Sequence, residues 1–456
     1  MKKVPQSRIP ITLNLRQNKI TQVGAEYLAS AISANSPINS LDIRHNKKIG
    51  DKGIESIALS LSNNTTLTIL DIIRCGLNEA GAEALSYALT VNHTLTTLLI
   101  EDKLNLQTIY SLGELFSDSS CYLTDLYLWR CSLDANLLEV LCRNIKKNKS
   151  LRKLALSYNN IDDSGCISLA DIILNNKSLK KLQLGANNFT EKAAGYFGVA
   201  LTQNDTLNFL DLSENNLKSR GVWPIAISLM NNTSLQEIDL RCNSIDPSGV
   251  EIICQLLSTN KSICDMKLSS NLFDDNSIEL IADVLMLNNT LKEIELNEVG
   301  MGSRGFISLC NALKYNRTLD RITVGSNNFS SKSLSAFADL LKVNTSLTVF
   351  EMPKCKIDDE GCSFIIDGIA SNSSLIKLDI SANQINEKGA LMLIDAMQGN
   401  YTIYKMEFKK NPFCNSNEYS ANISNKLSDL IERNNYYKYN NLVKDMSALA
   451  KDKAYL

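Results

Sequence analysis

The segment Leu207-Asn208-Phe209-Leu210-Asp211-Leu212-Ser213-Glu214-Asn215-Asn216-Leu217 contains the pattern that decides the fold. Around Leu210 and Leu212 apolar and polar residues alternate, as they do in a short β-strand with one buried face. Further along, Ile225 and Leu229 are spaced for one face of a helix. This stretch therefore predicts a strand, a loop and a helix in that order.

The same pattern recurs along the whole chain. We call the residue equivalent to Leu210 the strand leucine, and it occurs at Leu13, Leu41, Leu70, Leu98, Leu126, Leu154, Leu182, Leu210, Ile238, Met266, Ile294, Ile322, Phe350, Leu378 and Met406. Every step is 28 residues except that from Leu41 to Leu70, which is 29. These fifteen repeats, numbered here as coils 1 to 15, predict a solenoid.

A polar residue in the loop follows the same period. Five residues after the strand leucine stand Asn18, Asn46, Asn159, Asn187, Asn215, Asn243, Asn271, Asn327, Asn383 and Asn411, with Cys75, Cys131 and Cys355 in three further coils and Lys103 and Val299 in the last two. A buried Asn at this ladder position can satisfy backbone groups of the turning chain on neighbouring coils. We expect a ladder of hydrogen bonds between the coils.

The motif Leu-x-x-Leu-x-Leu-x-x-Asn/Cys-x-Leu resembles the leucine-rich-repeat family. Helix-bearing coils of 28 residues with a frequent glycine at the helix start, such as Gly221 and Gly305, are similar to the ribonuclease-inhibitor-like subfamily, which includes NOD-like-receptor repeat regions and the Ran GTPase-activating protein. The resemblance covers residues 11–415 and implies an α/β fold, a horseshoe-shaped leucine-rich-repeat solenoid with a concave parallel β-sheet and convex helices.

The two ends of the chain leave the repeat. Residues 1–10 predict a short N-terminal cap, and residues 416–456 predict a helical C-terminal cap in which Leu427, Leu430 and Ile431 face the last coil. Because the N-terminal cap is thin, we expect the first coil to be covered by a partner or by a second copy of the chain, as in a homodimer.

Composition limits the partner. With 47 basic and 49 acidic residues the net charge is −2, which excludes a global attraction to nucleic acid or anionic membranes. The start Met1-Lys2-Lys3-Val4-Pro5 has no apolar stretch after it, and no run has the length of a membrane span. The twelve cysteines include no CxxC pair. We therefore predict a cytoplasmic protein with reduced cysteines and with another protein, neither nucleic acid nor membrane, as its partner.

Apparent chemical motifs belong to the repeat. Gly300-Met301-Gly302-Ser303-Arg304-Gly305 matches a dinucleotide fingerprint, but Gly305 is the repeat glycine and a solenoid lacks the open doubly wound sheet that holds such a cofactor. The two histidines, His45 and His93, form no catalytic constellation. We predict no cofactor, no metal, no catalytic residue and no enzymatic activity.

Two further polar patterns are periodic. Carboxylates directly follow the strand leucine at Asp42, Asp71, Asp211, Asp239, Glu295, Glu351, Asp379 and Glu407, and we interpret them as a solvated face rather than a cation site. N-x-[ST] triplets recur from Asn64 to Asn400 in register with the coils. We interpret each Asn as a helix-ending residue in the left-handed conformation, not as a glycan acceptor.

Coils 3 to 6 depart from the pattern. Positions on the concave face that hold small or charged residues elsewhere here hold Ile73, Arg74, Leu99, Tyr127, Trp129, Arg130 and Tyr158. Trp, Tyr and Arg dominate protein interfaces, and the same coils lose the helix-start glycine at Ile109 and Leu137. These seven residues are the predicted protein-binding site. The alternative is that two degenerate coils have drifted and Trp129 lies flat on the sheet.

The sequence therefore predicts a non-enzymatic protein-binding or scaffold protein that acts through its concave face. One variant of this prediction is an effector that is secreted into a host cell and binds a host protein. The alternative is a regulator of an enzyme, either a nuclease inhibitor or a small-GTPase activator. The net charge of −2 disfavours inhibition of a basic nuclease.

Overall fold

The computed structural model describes residues 11–33, 37–117, 121–414 and 418–453, with side chains as far as residue 440. The chain divides into two compact bodies, Met1–Ile238 and Asp239–Leu456, which we call the N-terminal and C-terminal bodies. Both are built from the same repeated strand, loop and helix. The predicted N-terminal cap, residues 1–10, lies outside the described residues.

In the N-terminal body the strands pair in the order in which they occur in the chain, all parallel. They are β1 (Ile11–Asn14), β2 (Ile38–Asp42), β3 (Ile69–Asp71), β4 (Thr97–Ile100), β5 (Asp125–Leu128), β6 (Lys153–Ala155), β7 (Lys181–Gln183) and β8 (Phe209–Asp211). Strand leucines lie side by side, as Leu98 does with Leu126. Residues one repeat apart are therefore neighbours across a strand spacing of about 4.8 Å.

A helix follows each of these strands. The helices are α1 (Gln22–Ser33), α2 (Gly50–Leu61), α3 (Glu79–Val91), α4 (Leu106–Glu114), α5 (Ala135–Ile145), α6 (Cys166–Asn175), α7 (Glu191–Gln203) and α8 (Lys218–Leu229). Their core-facing residues repeat at helical spacing, as Leu138, Leu141 and Ile145 do in α5, and are fully buried.

The C-terminal body repeats this arrangement. Its strands are β9 (Glu237–Asp239), where the two bodies divide, and β10 (Asp265–Lys267), β11 (Glu293–Glu295), β12 (Arg321–Thr323), β13 (Val349–Glu351), β14 (Lys377–Asp379) and β15 (Lys405–Glu407). Its helices are α9 (Pro247–Thr259), α10 (Asp275–Leu287), α11 (Ser303–Leu313), α12 (Leu334–Val343), α13 (Asp359–Ser371), α14 (Glu387–Gly399) and α15 (Glu418–Lys453). Strands β10 to β15 pair in parallel, each with the next.

The core of each coil lies between its strand and its helix. The strand leucine and the residue two positions later are both buried, as Leu98 and Ile100 are, each with no exposed area. The residues between and after them project to the opposite side of the sheet, away from the helices. We call this side the open face. The predicted leucine-rich-repeat solenoid is confirmed.

The predicted asparagine ladder is also confirmed. Asn159 accepts hydrogen bonds at Oδ1 from the backbone N–H groups of Cys131 (2.9 Å) and Leu133 (3.1 Å) on the preceding coil. Its Nδ2 donates to the carbonyls of Leu128 and Leu156, both at 2.8 Å. One side chain thus satisfies four backbone groups on two coils, which an apolar residue of the same size leaves unpaired.

The asparagines of the N-x-[ST] triplets form a second ladder, and here the predicted left-handed conformation is wrong. Asn92 is extended, with φ −82° and ψ 127°. Its Oδ1 accepts from the N–H groups of Thr94 (3.0 Å) and Leu95 (2.7 Å), and its Nδ2 donates to the carbonyl of Leu61 (2.7 Å) on the preceding coil. The side chain ends one helix and starts the next turn through these bonds, so no unusual backbone conformation is required.

Helix α15 packs against α14. Ile423 and Leu427 are buried, and Arg433 donates to the carbonyls of Met397 (2.9 Å) and Asn400 (2.7 Å). These carbonyls belong to the end of α14, where no further helical N–H is available. The tail is therefore one helix over the described residues. Division of the chain into caps and solenoid at residues 10 and 415 stays a prediction.

Candidate functional site

The turn at the end of each strand positions the first two side chains of the site. Four residues after the strand leucine, Arg130 has φ 49° and Tyr158 has φ 59°. Both lie in the left-handed region, which bulky side chains rarely adopt. Both residues are about half exposed: the exposed fraction is 52% for the Arg130 side chain and 44% for Tyr158 as a whole residue. Adjacent coils therefore hold a cation and a ring on the rim of the open face.

Tyr127 and Trp129 form a ring pair on the open face of β5. Their centroids are 5.0 Å apart at an interplanar angle of 69°, an edge-to-face arrangement. Lys153, on β6, places its Nζ 4.7 Å from the centroid of the Tyr127 ring. Both rings are half-buried. Contacts with another ring and with an ammonium group restrict Tyr127, which lowers the entropy it loses when a partner binds.

An apolar row continues across the neighbouring strands. Leu99 on β4 lies in register with Tyr127, and Tyr127 in register with Ala155 on β6. Leu99 is half-buried. In coils 2, 3 and 8 the same position holds a carboxylate, as at Asp71. The open face therefore changes from acidic to apolar over these strands.

Charged groups connect the rim of this row from coil to coil. Arg74 donates to Glu101 at 2.5 Å, and Arg130 lies 3.8 Å from the same carboxylate. The guanidinium of Arg130 lies 4.1 Å from the centroid of the Tyr158 ring. The Tyr158 hydroxyl in turn donates to Glu214 at 3.3 Å. This chain of contacts holds the exposed side chains in defined positions.

Burial and the nearby carboxylate of Glu214 raise the pKa of Tyr158 above its ordinary value. The phenol is therefore neutral at physiological pH and available as a hydrogen-bond donor. A neutral ring with a polar hydroxyl at its edge is well suited to an interface that is partly wet.

Five of the seven predicted residues lie together on this surface. We call Leu99, Tyr127, Trp129, Arg130 and Tyr158 the aromatic patch. Arg74 is exposed at its edge, but its charge is compensated by Glu101.

The prediction for Ile73 is wrong. Only 4% of this residue is exposed, so it offers no apolar surface to a partner. It occupies the repeat position that holds Arg44 in the preceding coil and Glu101 in the next. Its role is in packing.

Two residues that contribute to the patch were not predicted. Lys153 covers Tyr127, and Glu214 accepts the hydroxyl of Tyr158 from two coils away. The repeat period contains a signal for Lys153, because it stands two residues before Ala155, the residue paired with Tyr127, and so on the same face of the strand. The sequence contains no comparable signal for Glu214. It lies 56 residues after Tyr158, and whether the two side chains meet depends on their rotamers.

Several carboxylates of the open face outside the patch form ion pairs. Arg241 donates to Asp239 through Nε at 2.9 Å and Nη2 at 2.5 Å, and lies 3.8 Å from Glu295. Arg321 and Lys377 both bind Glu351, at 3.0 and 2.7 Å. Within residues 11–33, 37–117, 121–414 and 418–440, no group of three or more His, Cys, Asp or Glu side chains is placed to hold a metal ion. These carboxylates therefore serve the ion pairs between coils.

The glycine-rich segment at residues 300–305 is already bound by a carboxylate side chain of the protein itself. The N–H of Gly302 donates to the carboxylate of Asp275 at 2.6 Å, and a Cβ on Gly305 would meet the same carboxylate at 2.8 Å. The position where a nucleotide phosphate would have to lie at the start of α11 is therefore filled by a side chain of the preceding coil.

All twelve cysteines are thiols, and none of them is joined in a disulfide. Burial raises the pKa of Cys75 to about 12 and that of Cys166 to about 11. Cys75 donates through Sγ to the carbonyl of Ile43 at 3.1 Å, taking over part of the role of the ladder asparagine. Cys75 and Cys166 are therefore protonated at neutral pH and act in packing rather than as nucleophiles.

Seven segments of the chain match the family described as Leucine Rich repeat. The segments are residues 11–29, 34–58, 63–86, 147–170, 231–254, 343–365 and 371–393. They fall in both bodies, and each contains the strand of one coil and part of the helix that follows it.

Curated relatives share part of this region. The chain is 32% identical over 163 residues to NACHT, LRR and PYD domains-containing protein 14 of Homo sapiens, which is 35% of this chain and 15% of that protein. It is 30% identical over 148 residues to the ribonuclease inhibitor of Mus musculus, which is 32% of each. The chain thus spans less than a third of the length of either relative.

Among solved structures, a chain of the Rad7 and Elc1 complex in yeast is similar with a TM-score of 0.50 and 16% identity, over 81% of this chain and 86% of that chain. At this identity the likeness is one of fold alone. In the part of the chain that the structure describes, no helix combines the length and the apolar character of a membrane span.

Proposed function

Because the chain belongs to the leucine-rich-repeat family, of the ribonuclease-inhibitor-like kind, we propose that it is a non-enzymatic protein that binds another protein through the aromatic patch. Repeat solenoids present extended surfaces of this type to macromolecular partners. The partner covers the open face over β4 to β6 and seats apolar groups against the rings.

One observation carries this proposal. Trp129 and Tyr127 pack edge to face in the middle of the open face, with Arg130 stacked on Tyr158 beside them. Rings and guanidinium groups that are partly exposed yet held in place are the residues that contribute most to protein interfaces. The fold itself does not require such a cluster, since the same positions hold small or charged residues in other coils.

A second candidate is a regulator of an enzyme, favoured by the similarity to the ribonuclease inhibitor over 32% of each chain. Inhibition of a basic nuclease requires free carboxylates on the open face. Those of Asp42 and Asp239 are already bound by Arg44 and Arg241 at 2.7 and 2.5 Å. The aromatic patch therefore favours a partner with apolar anchors over a strongly basic one.

We place this binding in the cytoplasm, since twelve cysteines without a disulfide suit a reducing compartment. Delivery of the chain into a host cell and pairing of two copies through the N-terminal end stay predictions.

The test is comparative capture. The parent chain and the variants Trp129→Ala, Tyr158→Ala and Lys354→Ala are used as baits in the same cell lysate, and bound proteins are quantified by mass spectrometry. Lys354 is the matched control because it occupies the position of Tyr158 in coil 13, with φ 56° and an exposed side chain.

We expect at least one protein that the parent and Lys354→Ala retain equally and that both patch variants lose. The loss corresponds to about 2 kcal/mol for Trp129→Ala, roughly thirtyfold in affinity. Since Trp129 is half-buried, unfolding of every bait is measured in parallel, and Tyr158→Ala removes an exposed ring. Identical captured proteins in identical amounts for all four baits contradict the proposal.

A further inference from the structure

A second surface adjoins the aromatic patch at the edge where helices α5 and α6 lead into strands β6 and β7. Six cations lie there in three pairs, each pair one repeat apart. We call them the basic edge: Lys149 and Lys177, Arg152 and Lys180, Lys153 and Lys181. The chain as a whole has a net charge of −2, so this concentration of positive charge is local.

The backbone brings each pair together. The N–H groups of Lys180 and Lys181 both donate to the carbonyl of Arg152, at 2.7 and 2.9 Å, and Lys153 lies in register with Lys181. Equivalent residues are therefore about 4.8 Å apart at the backbone. Like charges directly opposite each other destabilise a sheet. Folding alone does not explain this arrangement.

Little of this charge is neutralised within the molecule. Lys177 pairs with Asp205 at 3.0 Å, but both side chains are largely exposed, so water screens the pair. Lys149, Lys180 and Lys181 have no carboxylate within 4.0 Å in the part of the chain that the structure describes, nor has Lys153. The positive potential of the edge is therefore available to a ligand.

The surface is also concave on a small scale. A cleft of about 730 Å³ is lined by Lys146, Lys147, Lys149, Arg152 and Lys177. Arg152 is held on its wall by a hydrogen bond from Nη1 to the carbonyl of Ser178 at 3.0 Å. Lys146 is paired with Asp171 at 2.8 Å, but carboxylate side chains of an extended segment fit the cleft beside the other four cations.

The basic edge is continuous with the aromatic patch through Lys153, whose Nζ lies over Tyr127. We infer that the basic edge binds an acidic segment of the same protein partner whose apolar groups occupy the aromatic patch. This inference rests on the proposed function and adds to it the chemistry of the partner: an apolar anchor flanked by a run of Asp or Glu.

Two observations favour an acidic protein segment over nucleic acid. The rings beside the edge, Tyr127 and Phe209, are each approached by a lysine ammonium, at 4.7 and 5.9 Å, so neither is an open platform for base stacking. The edge is also narrow. Asp125 stands in register with Lys153 on one side, and Asp205 adjoins Lys177 on the other. A nucleic-acid backbone continuing in either direction meets a carboxylate.

The test uses the full chain and a fluorescein-labelled oligoglutamate peptide as the probe, with anisotropy as the measurement. The charge-reversal variant is Lys149→Glu with Lys180→Glu. Its matched control is Lys261→Glu with Lys292→Glu, which reverses two exposed lysines at the same repeat positions four coils further on. An oligonucleotide of equal charge and phosphatidylcholine vesicles containing phosphatidylserine are measured beside the peptide.

We expect the peptide to bind the parent, to bind more weakly as salt is raised, and to lose about tenfold or more in affinity with the edge variant but less than about twofold with the control. The variant Tyr158→Ala should bind the peptide as the parent does, which separates this surface from the aromatic patch. Equal effects of the two double variants overturn the inference, as does tighter binding of the oligonucleotide or the vesicles than of the peptide.

Discussion

The open face over β4 to β6 and the open face over β11 to β14 use the same repeat positions in opposite ways. In the N-terminal body the residue after the strand leucine is Leu99, Tyr127 or Ala155, and the rings remain half exposed. In the C-terminal body the same position holds Glu295, Thr323, Glu351 and Asp379. There Arg241, Arg321 and Lys377 form ion pairs with carboxylates of other coils.

The difference shows that the backbone of the repeat places no chemical requirement on this face. The buried leucines and the asparagine ladders are the same in both bodies, so either surface can be built on them. Charged groups that form ion pairs between coils are less available to bind a partner. Partly exposed rings leave apolar area that a partner can cover.

The largest expected effect concerns what the two bodies share. Asn159→Ala and Asn327→Ala each remove a ladder side chain that accepts from two N–H groups and donates to two carbonyls, with every distance between 2.8 and 3.2 Å. We expect each variant to lose about 2–4 kcal/mol of stability, because buried groups on two coils become unpaired. Urea unfolding of the two variants and the parent measures this.

Similar losses in both bodies support a common ladder. A loss of stability for one variant and none for the other would contradict the claim that the two bodies share the same asparagine ladder.

The next effect separates the two faces. Arg241→Ala leaves the Asp239 carboxylate, whose side chain is 3% exposed, without its bidentate partner, and we expect it to cost about 1–2 kcal/mol of stability. Arg130→Ala removes a half-exposed guanidinium that is 3.8 Å from its carboxylate, and we expect less than about 0.5 kcal/mol. Chemical unfolding measures both.

Binding should give the reverse order. We expect Arg130→Ala to weaken capture of the partner and Arg241→Ala to leave capture unchanged. If Arg241→Ala has the larger effect on both stability and capture, the proposed difference between the two open faces is contradicted.

The smallest effect is a pH dependence at Glu295, on the open face of the C-terminal body. Burial raises the pKa of Glu295 above its ordinary value of 4.5, although Arg241 and Lys267 act against this. The folded state therefore holds this proton more tightly than the unfolded state. The associated stability is fully present below about pH 4.5 and is lost as pH rises through the raised pKa.

Glu295→Gln should remove this part of the decline, which thermal unfolding at a series of pH values detects. Thr323→Ser, at the same position one coil later, is the control and should keep the parent's profile. Parallel profiles for the parent and Glu295→Gln would show that burial of this carboxylate does not govern stability.

The two predictions that the structure corrected, Ile73 and the helix-ending asparagines, fail for related reasons. Ile73 and Trp129 stand at the same repeat position, three residues after the strand leucine, yet one is buried and the other half exposed. Ile73 is a short side chain between Arg44 and Glu101, whereas Trp129 is larger than its neighbour Ser157. The conformation of Asn92 depends likewise on which carbonyls of the preceding coil its amide reaches.

The sequence by itself determined the number of coils, their register and the identity of the buried residues, because a period of 28 residues imposes the same local packing fifteen times. It also located the departures in coils 3 to 6. Only the tertiary structure decided which of the outward residues are accessible, that Glu214 holds Tyr158, and that six cations from two coils converge on one edge. These properties depend on the sizes, rotamers and charges of side chains one or two repeats away in sequence. The period alone does not specify how these neighbouring side chains pack against one another.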